Sequence, residues 1–317
     1  MEINDSLTRQ EGEARGNIAA GSKIGFYNRG INSAVIGLLL LVLTGCVGPS
    51  VEVSRHKDLP PTPAIKYSFK KFPVLEYHLI RRPEARWSRT PENFWRDLEW
   101  LRAHDYYPFN LRDILAGFPG LPKGKTPVVL TFDDSSSSQF RYLPNGEVDP
   151  ECAVGIIKKF AAKYPDWPAR GTFFIVVRTN NPDRNIFGQP ERPEYKAKKL
   201  RQLEEWGFEV ASHTYSHDRL GNISTKEAAY SLARSSKALS DVTGRPVVSL
   251  ALPMGLYPSD ETVFSGRYQK IAYDYKLAAE VAGGLQPAPG SPGFNPLHIR
   301  RIQTIAGEWR KFFNRLL

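Results

Sequence analysis

The sequence predicts an α/β fold: a single domain of about seven parallel strands with helical crossovers, closed or nearly closed into a barrel. Three observations lead there. From Phe72 onward, strand-like apolar runs alternate with amphipathic helical stretches, the pattern of a mostly parallel sheet. Pro127–Phe132 (PVVLTF) and Gly171–Val177 (GTFFIVV) are almost continuously apolar, as strands buried on both faces are. About seven such units in succession favour closure over an open sheet. No internal repeat or low-complexity tract interrupts them beyond Ser135 to Ser138.

The elements follow in order. Phe72–Tyr77 (FPVLEY) reads as the first strand. Thr90 can cap a helix with Pro91 at its first position, placing Phe94, Leu98 and Leu101 on one face. Pro127–Phe132 is the next strand, and Asp149–Lys163 is helical by pattern. Cys152 lies in that pattern with Val154, Ile156 and Ile157, where a buried small hydrophobe is expected rather than a nucleophile. Gly171–Val177 is a strand, Tyr195–Trp206 a charged amphipathic helix ending at Gly207, and Phe208–Ala211 a short strand. Ser224 with Glu227 forms a capping box that opens a helix to about Val242, before Gly244. Val247–Leu252, Lys276–Val281 and His298–Thr304 complete the strands.

Composition narrows the class. The 317 residues are 41% hydrophobic and 12% aromatic, enough for a packed core and too apolar for a disordered chain. Two cysteines cannot build a disulfide scaffold or a thiolate zinc cluster. Ala34–Leu43 (AVIGLLLLVL) carries no charge and follows Lys23 and Arg29. It is too short for the roughly 20 apolar residues of a bilayer span and fits the apolar region of an export signal. Leu43-Thr44-Gly45-Cys46 then resembles the lipobox of bacterial lipoproteins, with small residues where a peptidase must approach. That resemblance implies lipidation of Cys46, a cell-membrane anchor and a protein facing outside the cytoplasm. The expected layout is a signal over 1–45, a tether over 46–70 containing Pro60, Pro61 and Pro63, and one domain over 71–312. The net charge of +10 survives removal of residues 1–45, which hold four acidic and four basic side chains. Outside the cell that charge meets anionic wall polymers and lipid headgroups rather than chromosomal DNA. No zinc-finger, RNP or helix-turn-helix pattern supports a nucleic-acid partner.

Polar residues gather at the expected C-terminal ends of strands, where parallel α/β folds place their sites. Asp133 and Asp134 follow PVVLTF, His213 and His217 follow Phe208–Ser212, and His78 follows FPVLEY. Three of the six histidines therefore sit at strand ends. A lone Asp-Asp pair is more often a turn or cap, and a lone histidine is usually a satisfied core residue. Together they suit a divalent metal such as Zn²⁺, with a position left open for water. A second carboxylate beside that water can take its proton.

These residues also resemble a family, the polysaccharide deacetylases (NodB-homology, carbohydrate esterase family 4). Thr131-Phe132-Asp133-Asp134 is similar to its first motif and His213-Thr214-Tyr215-Ser216-His217 to its second. Gly171-Thr172-Phe173-Phe174 is similar to the strand between them. The resemblance implies a distorted (β/α) barrel that removes acetyl groups, most often from N-acetylglucosamine units of a polysaccharide outside the cell or in its wall. It implies Asp134, His213 and His217 as metal ligands, for Zn²⁺ or alternatively Co²⁺ or Ni²⁺, and Asp133 as general base. For the general acid, Val74–Ile80 resembles an early element of poly-N-acetylglucosamine deacetylases and favours His78. His298, in Pro296–Ile302, is the second candidate. Ala251-Leu252-Pro253-Met254-Gly255 stands in the place of the third motif, where Pro253 and Gly255 would shape a substrate loop. Ala251 replaces the usual arginine that holds the base. Arg301 could substitute from another strand, a question that stays open at this level.

Two other classes compete. A catalytically inert sugar-binding member of the same fold would explain the altered third motif. A glycoside hydrolase using Asp133 and Asp134 fits poorly, because neighbours on a strand point to opposite faces.

Overall fold

The computed structural model describes residues 51–53, 67–305 and 308–313. The expected signal, with Ala34–Leu43, and Cys46 lie outside the described residues. Among the described residues no helix is long and apolar enough to cross a membrane.

Eight strands form the main sheet: β1 (Val74–Tyr77), β2 (Tyr106–Phe109), β3 (Thr126–Phe132), β4 (Thr172–Ile175), β5 (Glu209–Ser212), β6 (Ser249–Ala251), β7 (Leu277–Gly283) and β8 (Ile299–Gln303). Seven of them make a closed parallel ring in the order β1-β8-β7-β6-β5-β4-β3, shut by the pairing of β3 with β1. These seven are the strands the sequence predicts. The eighth, β2, was not expected, because Pro108 breaks its pattern. Proline lacks the N–H of a central strand and is tolerated where pairing is one-sided. β2 pairs only with the first half of β3, where Val129 has Val74 on one edge and Phe109 on the other. It then yields to β4 through Asn110, whose Oδ1 accepts from Gly171 N at 2.9 Å.

Side-chain alternation sorts the core into two layers. Leu75, Tyr77, Leu130, Phe132 and Phe173 face the helices in the larger apolar cluster. Val74, Val129, Phe174, Ala211, Ala251 and Ile299 occupy the other faces and fill the barrel interior in a smaller one.

The helices α1 (Pro91–Ala103), α2 (Ala153–Lys163), α3 (Tyr195–Glu205) and α4 (Thr225–Thr243) pack outside. Thr90 Oγ1 accepts from Asn93 N at 3.2 Å, and Ser224 and Glu227 close the capping box that starts α4. Gly244 ends α4 at φ 67°, a left-handed conformation glycine takes without a Cβ penalty. α2 begins at Ala153 rather than Asp149, because the Asp149 carboxylate is drawn to Arg141 Nε at 2.7 Å and accepts from Glu151 N. Cys152 caps α2 and is buried, and burial pushes its thiol up to about 11.

The stretch expected as a tether enters the fold before residue 71. Residues 51–53 pair antiparallel with Ser265–Tyr268, which hairpins onto Ile271–Asp274. Tyr67 and Phe69 pack their rings against Phe118 at 6.4 and 6.0 Å.

Candidate active site

The site forms where β1, β3, β5 and β8 end. Asp133 is the residue after β3 and keeps the inward phase of Val129 and Thr131; its backbone N–H donates to the Tyr77 carbonyl at 2.9 Å. Its carboxylate is buried and held from across the barrel by Arg301 on β8. Nη1 donates to Oδ1 at 2.7 Å and Nη2 to Oδ2 at 2.8 Å. The same guanidinium reaches Thr131 Oγ1 at 3.1 Å, donates from Nε to the Glu280 carbonyl, and lies 3.2 Å from Glu76 Oε2. Arg301 is fully buried. It holds the carboxylate left without a partner by Ala251.

Asp134 leaves the strand. It and Ser135 adopt φ of 77° and 45°, left-handed conformations that turn the chain outward and aim the Asp134 carboxylate at the histidines. Asp134 Oδ1 lies 3.5 Å from His213 Nε2 and 3.3 Å from His217 Nε2. The His-x-x-x-His segment is a turn rather than a helix, with Thr214 and His217 at φ 63° and 62°. Thr214 Oγ1 accepts from Asp218 N at 2.6 Å and fixes it. His213 Nδ1 donates to the Ala251 carbonyl at 2.9 Å. A carbonyl only accepts, so this bond sets the tautomer and leaves the Nε2 lone pair facing Asp134.

Among the described residues, two groups of side chains could hold a metal, each offering ligand atoms within 4.8 Å of one another: Asp134, His213 and His217, and Glu76, His78 and Asp133. The second already contains the Arg301 cation between its two carboxylates. The first offers one carboxylate and two imidazoles with their lone pairs converging, a donor set that suits Zn²⁺.

Electrostatics separate the two aspartates from their neighbour Glu76. For Asp133, burial pushes the carboxyl up, but the charges of Arg301 and then His213 outweigh it and hold it below the usual range. For Asp134, burial pushes the carboxyl up, but His213 and His217, when protonated on the nitrogens that face it, hold it far below that range. Glu76 is pushed up to about 8 by burial, against the Arg301 charge. Both its oxygens are buried without a hydrogen-bond partner.

His78 follows β1 with Nδ1 3.7 Å from Glu76 Oε1, and its ring lies 4.8 Å from that of Trp87. Burial lowers its pKa against the pull of Asp133 and Asp134. It lines a small cleft with Glu76, Arg86, Trp87 and Gln303. His298 is engaged elsewhere. Its Nδ1 is 3.2 Å from Glu280, its Nε2 3.1 Å from Glu261, and its ring stacks on Tyr257 at 4.5 Å. Pro253 and Gly255 form the loop after β6. Gly255 has φ 68°, and a Cβ there would meet Val281 Cγ2 at 3.2 Å, so the turn requires glycine. The exposed side chain of that loop is Met254.

Glu76, Trp87 and Arg184, which pairs with Asp134, were not singled out from sequence. Glu76 had a signal, its two-residue spacing from His78 along one strand direction. Arg184 had none, since it lies in a loop far from either motif.

Residues 120–268 match the family model for polysaccharide deacetylase. YxkH of Bacillus subtilis (strain 168) is 20% identical over 237 residues, 73% of this chain and 71% of that protein. The peptidoglycan-N-acetylglucosamine deacetylase PgdA of Listeria monocytogenes is 27% identical over 154 residues, 43% of this chain and 30% of that longer protein. The Streptococcus pyogenes deacetylase PplD has a similar fold, with TM-score 0.57 and 20% identity over 77% of this chain and 97% of that one. Over residues 120–268 the chain is thus similar to the polysaccharide deacetylases.

Proposed function

We propose that the protein is a metal-dependent hydrolase that removes acetyl groups, those of N-acetylglucosamine units above all, from a polysaccharide outside the cytoplasm. The observation that carries this reading is the pairing of Asp133 with Arg301 immediately beside the Asp134–His213–His217 group. An inert sugar-binding domain has no use for a buried carboxylate held ionised next to such a donor set.

Asp134, His213 and His217 would hold a divalent cation, with Zn²⁺ the first choice. Such a cation polarises an acyl oxygen and brings the pKa of water from 15.7 towards about 7. Asp133 accepts the proton of the attacking water, with Arg301 fixing both carboxylate oxygens so that the accepting lone pair does not wander. His78 donates a proton to the departing amine, which cannot leave as an amide anion. Its lowered pKa makes the protonated ring the stronger acid. Atoms balance: water and the acetamide become acetate and an amine, and Asp133 and His78 reset through solvent.

PgdA is described as acting on peptidoglycan N-acetylglucosamine, and the net charge of +10 suits an anionic wall. The export signal over 1–45 and lipidation at Cys46 belong to the same proposal, and a Cys46→Ser variant that still labels with a fatty acid would refute the anchor. Acetate release from acetylated peptidoglycan or chitin oligomers, with Zn²⁺ or Co²⁺ added, tests the activity. Release abolished by a chelator and restored by metal is expected. A protein that binds these glycans without releasing acetate would be the inert member.

A further inference from the structure

The run Ser135–Ser138 plays no part in the chemistry above, yet all of its hydroxyls are engaged. Ser135 Oγ donates to the Arg184 carbonyl at 2.8 Å and accepts from Val176 N at 3.1 Å. Ser136 Oγ donates to Asp183 Oδ2 at 2.6 Å, and Ser137 donates from both its N–H, at 3.2 Å, and its hydroxyl to Asp183 Oδ1. Ser138 Oγ accepts from Ile80 N at 3.2 Å. Phe187 N then donates to the Ser135 carbonyl at 2.8 Å. The loop after β4 is thereby clamped against the residues that follow Asp134.

The side chain placed by this clamp is Arg184. Its guanidinium pairs with Asp134 Oδ1, the oxygen that also faces both histidine Nε2 atoms. Its Nε is buried without a hydrogen-bond partner. The side chain is 24% exposed, so water screens its charge only in part. Guanidinium does not deprotonate in proteins. A permanent positive charge therefore sits on the carboxylate that the proposed function makes a cation ligand. It draws on the same electron density and repels a second cation nearby.

We propose that Arg184 is a positioning residue that weakens the grip of the Asp134–His213–His217 group on a divalent cation and speeds its exchange, with the serine run and Asp183 keeping it in place. The proposal rests on the metal reading of that group.

Zinc titration of the full-length chain against a chelating indicator, with release rates into excess chelator, tests it without any assay of turnover. Arg184→Gln should bind Zn²⁺ about tenfold tighter and release it correspondingly more slowly, with the difference shrinking as salt is raised. Arg184→Lys, which keeps the charge, should stay near wild type. Asp183→Asn, which loosens the clamp, should move towards Arg184→Gln. Equal or weaker zinc binding by a folded Arg184→Gln protein, by circular dichroism, would overturn the proposal and make Arg184 a prop for Asp134. Wild type and His213→Ala titrating alike, with neither holding zinc, would instead overturn the metal reading, and the proposal with it.

Discussion

Arg301 and Asp133 lie 168 residues apart in sequence and meet inside the barrel through two parallel hydrogen bonds of 2.7 and 2.8 Å. Both are buried, so each charge depends on the other. Breaking a buried pair from one side typically costs about 3–5 kcal/mol, because the remaining charge is left uncompensated. The fork geometry adds orientation that a point charge cannot supply.

Arg301→Lys should therefore fold but lower kcat about a hundredfold, with KM little changed, since the base keeps a cation and loses its fixed angle. Arg301→Ala should also lose stability by several kcal/mol. Steady-state acetate release and thermal melts read the two effects separately.

Asp133→Asn should lower turnover by about 10²–10⁴ while zinc content stays at wild type, because Asp134 and the histidines remain. His213→Ala should lose both. Metal analysis of the purified variants alongside acetate release checks the division of roles between the two aspartates. Near wild-type turnover in Asp133→Asn would remove it as the base.

The two histidine candidates part in a direct comparison. His78→Ala should lower kcat about 10²–10³-fold. His298→Ala should leave it within about twofold and cost at most about 1 kcal/mol, as expected of partly exposed side-chain contacts with Glu261 and Glu280. The reverse ranking would move the acid to the start of β8.

Lys199 gives a pH signature remote from the site. It is fully buried on α3, donates to the Phe187 carbonyl at 2.6 Å, and burial pushes its pKa down to about 7. The unfolded chain keeps that proton to about 10.5, so between about 7 and 10.5 the unfolded state binds more protons and stability rises with pH. Below about 7 the full cost remains, on the order of a few kcal/mol. Lys199→Met should flatten this alkaline gain. Melting temperatures of both proteins at pH 7 and 9 measure it, and parallel curves would contradict the assignment.

Much of this protein was legible without coordinates. Near-continuous hydrophobic runs marked β3 and β4, because strands buried on both faces carry few polar residues, and the alternation of short apolar runs with helical stretches marked the other ring strands. Thr90, Ser224 and Glu227 marked helix starts, because orphan N–H groups at a helix end need a nearby acceptor. β2 escaped because Pro108 hides it, and the hairpin over Ser265–Asp274 because its strands are partly exposed and polar.

In the site, Asp133, Asp134, His213 and His217 announced themselves by local spacing. Their chemistry needs neighbours along the chain as well as in space, and sequence preserves that order. The sequence by itself thus determined the barrel, the two motifs and the choice of residue types able to hold a metal and move a proton. Only the tertiary structure decided which arginine holds Asp133, which histidine follows β1 beside Glu76, and that Arg184 reaches Asp134. Those partners come from β8, from β1 and from the loop after β4. They are brought together by closure of the ring, so no interval along the chain encodes the contact.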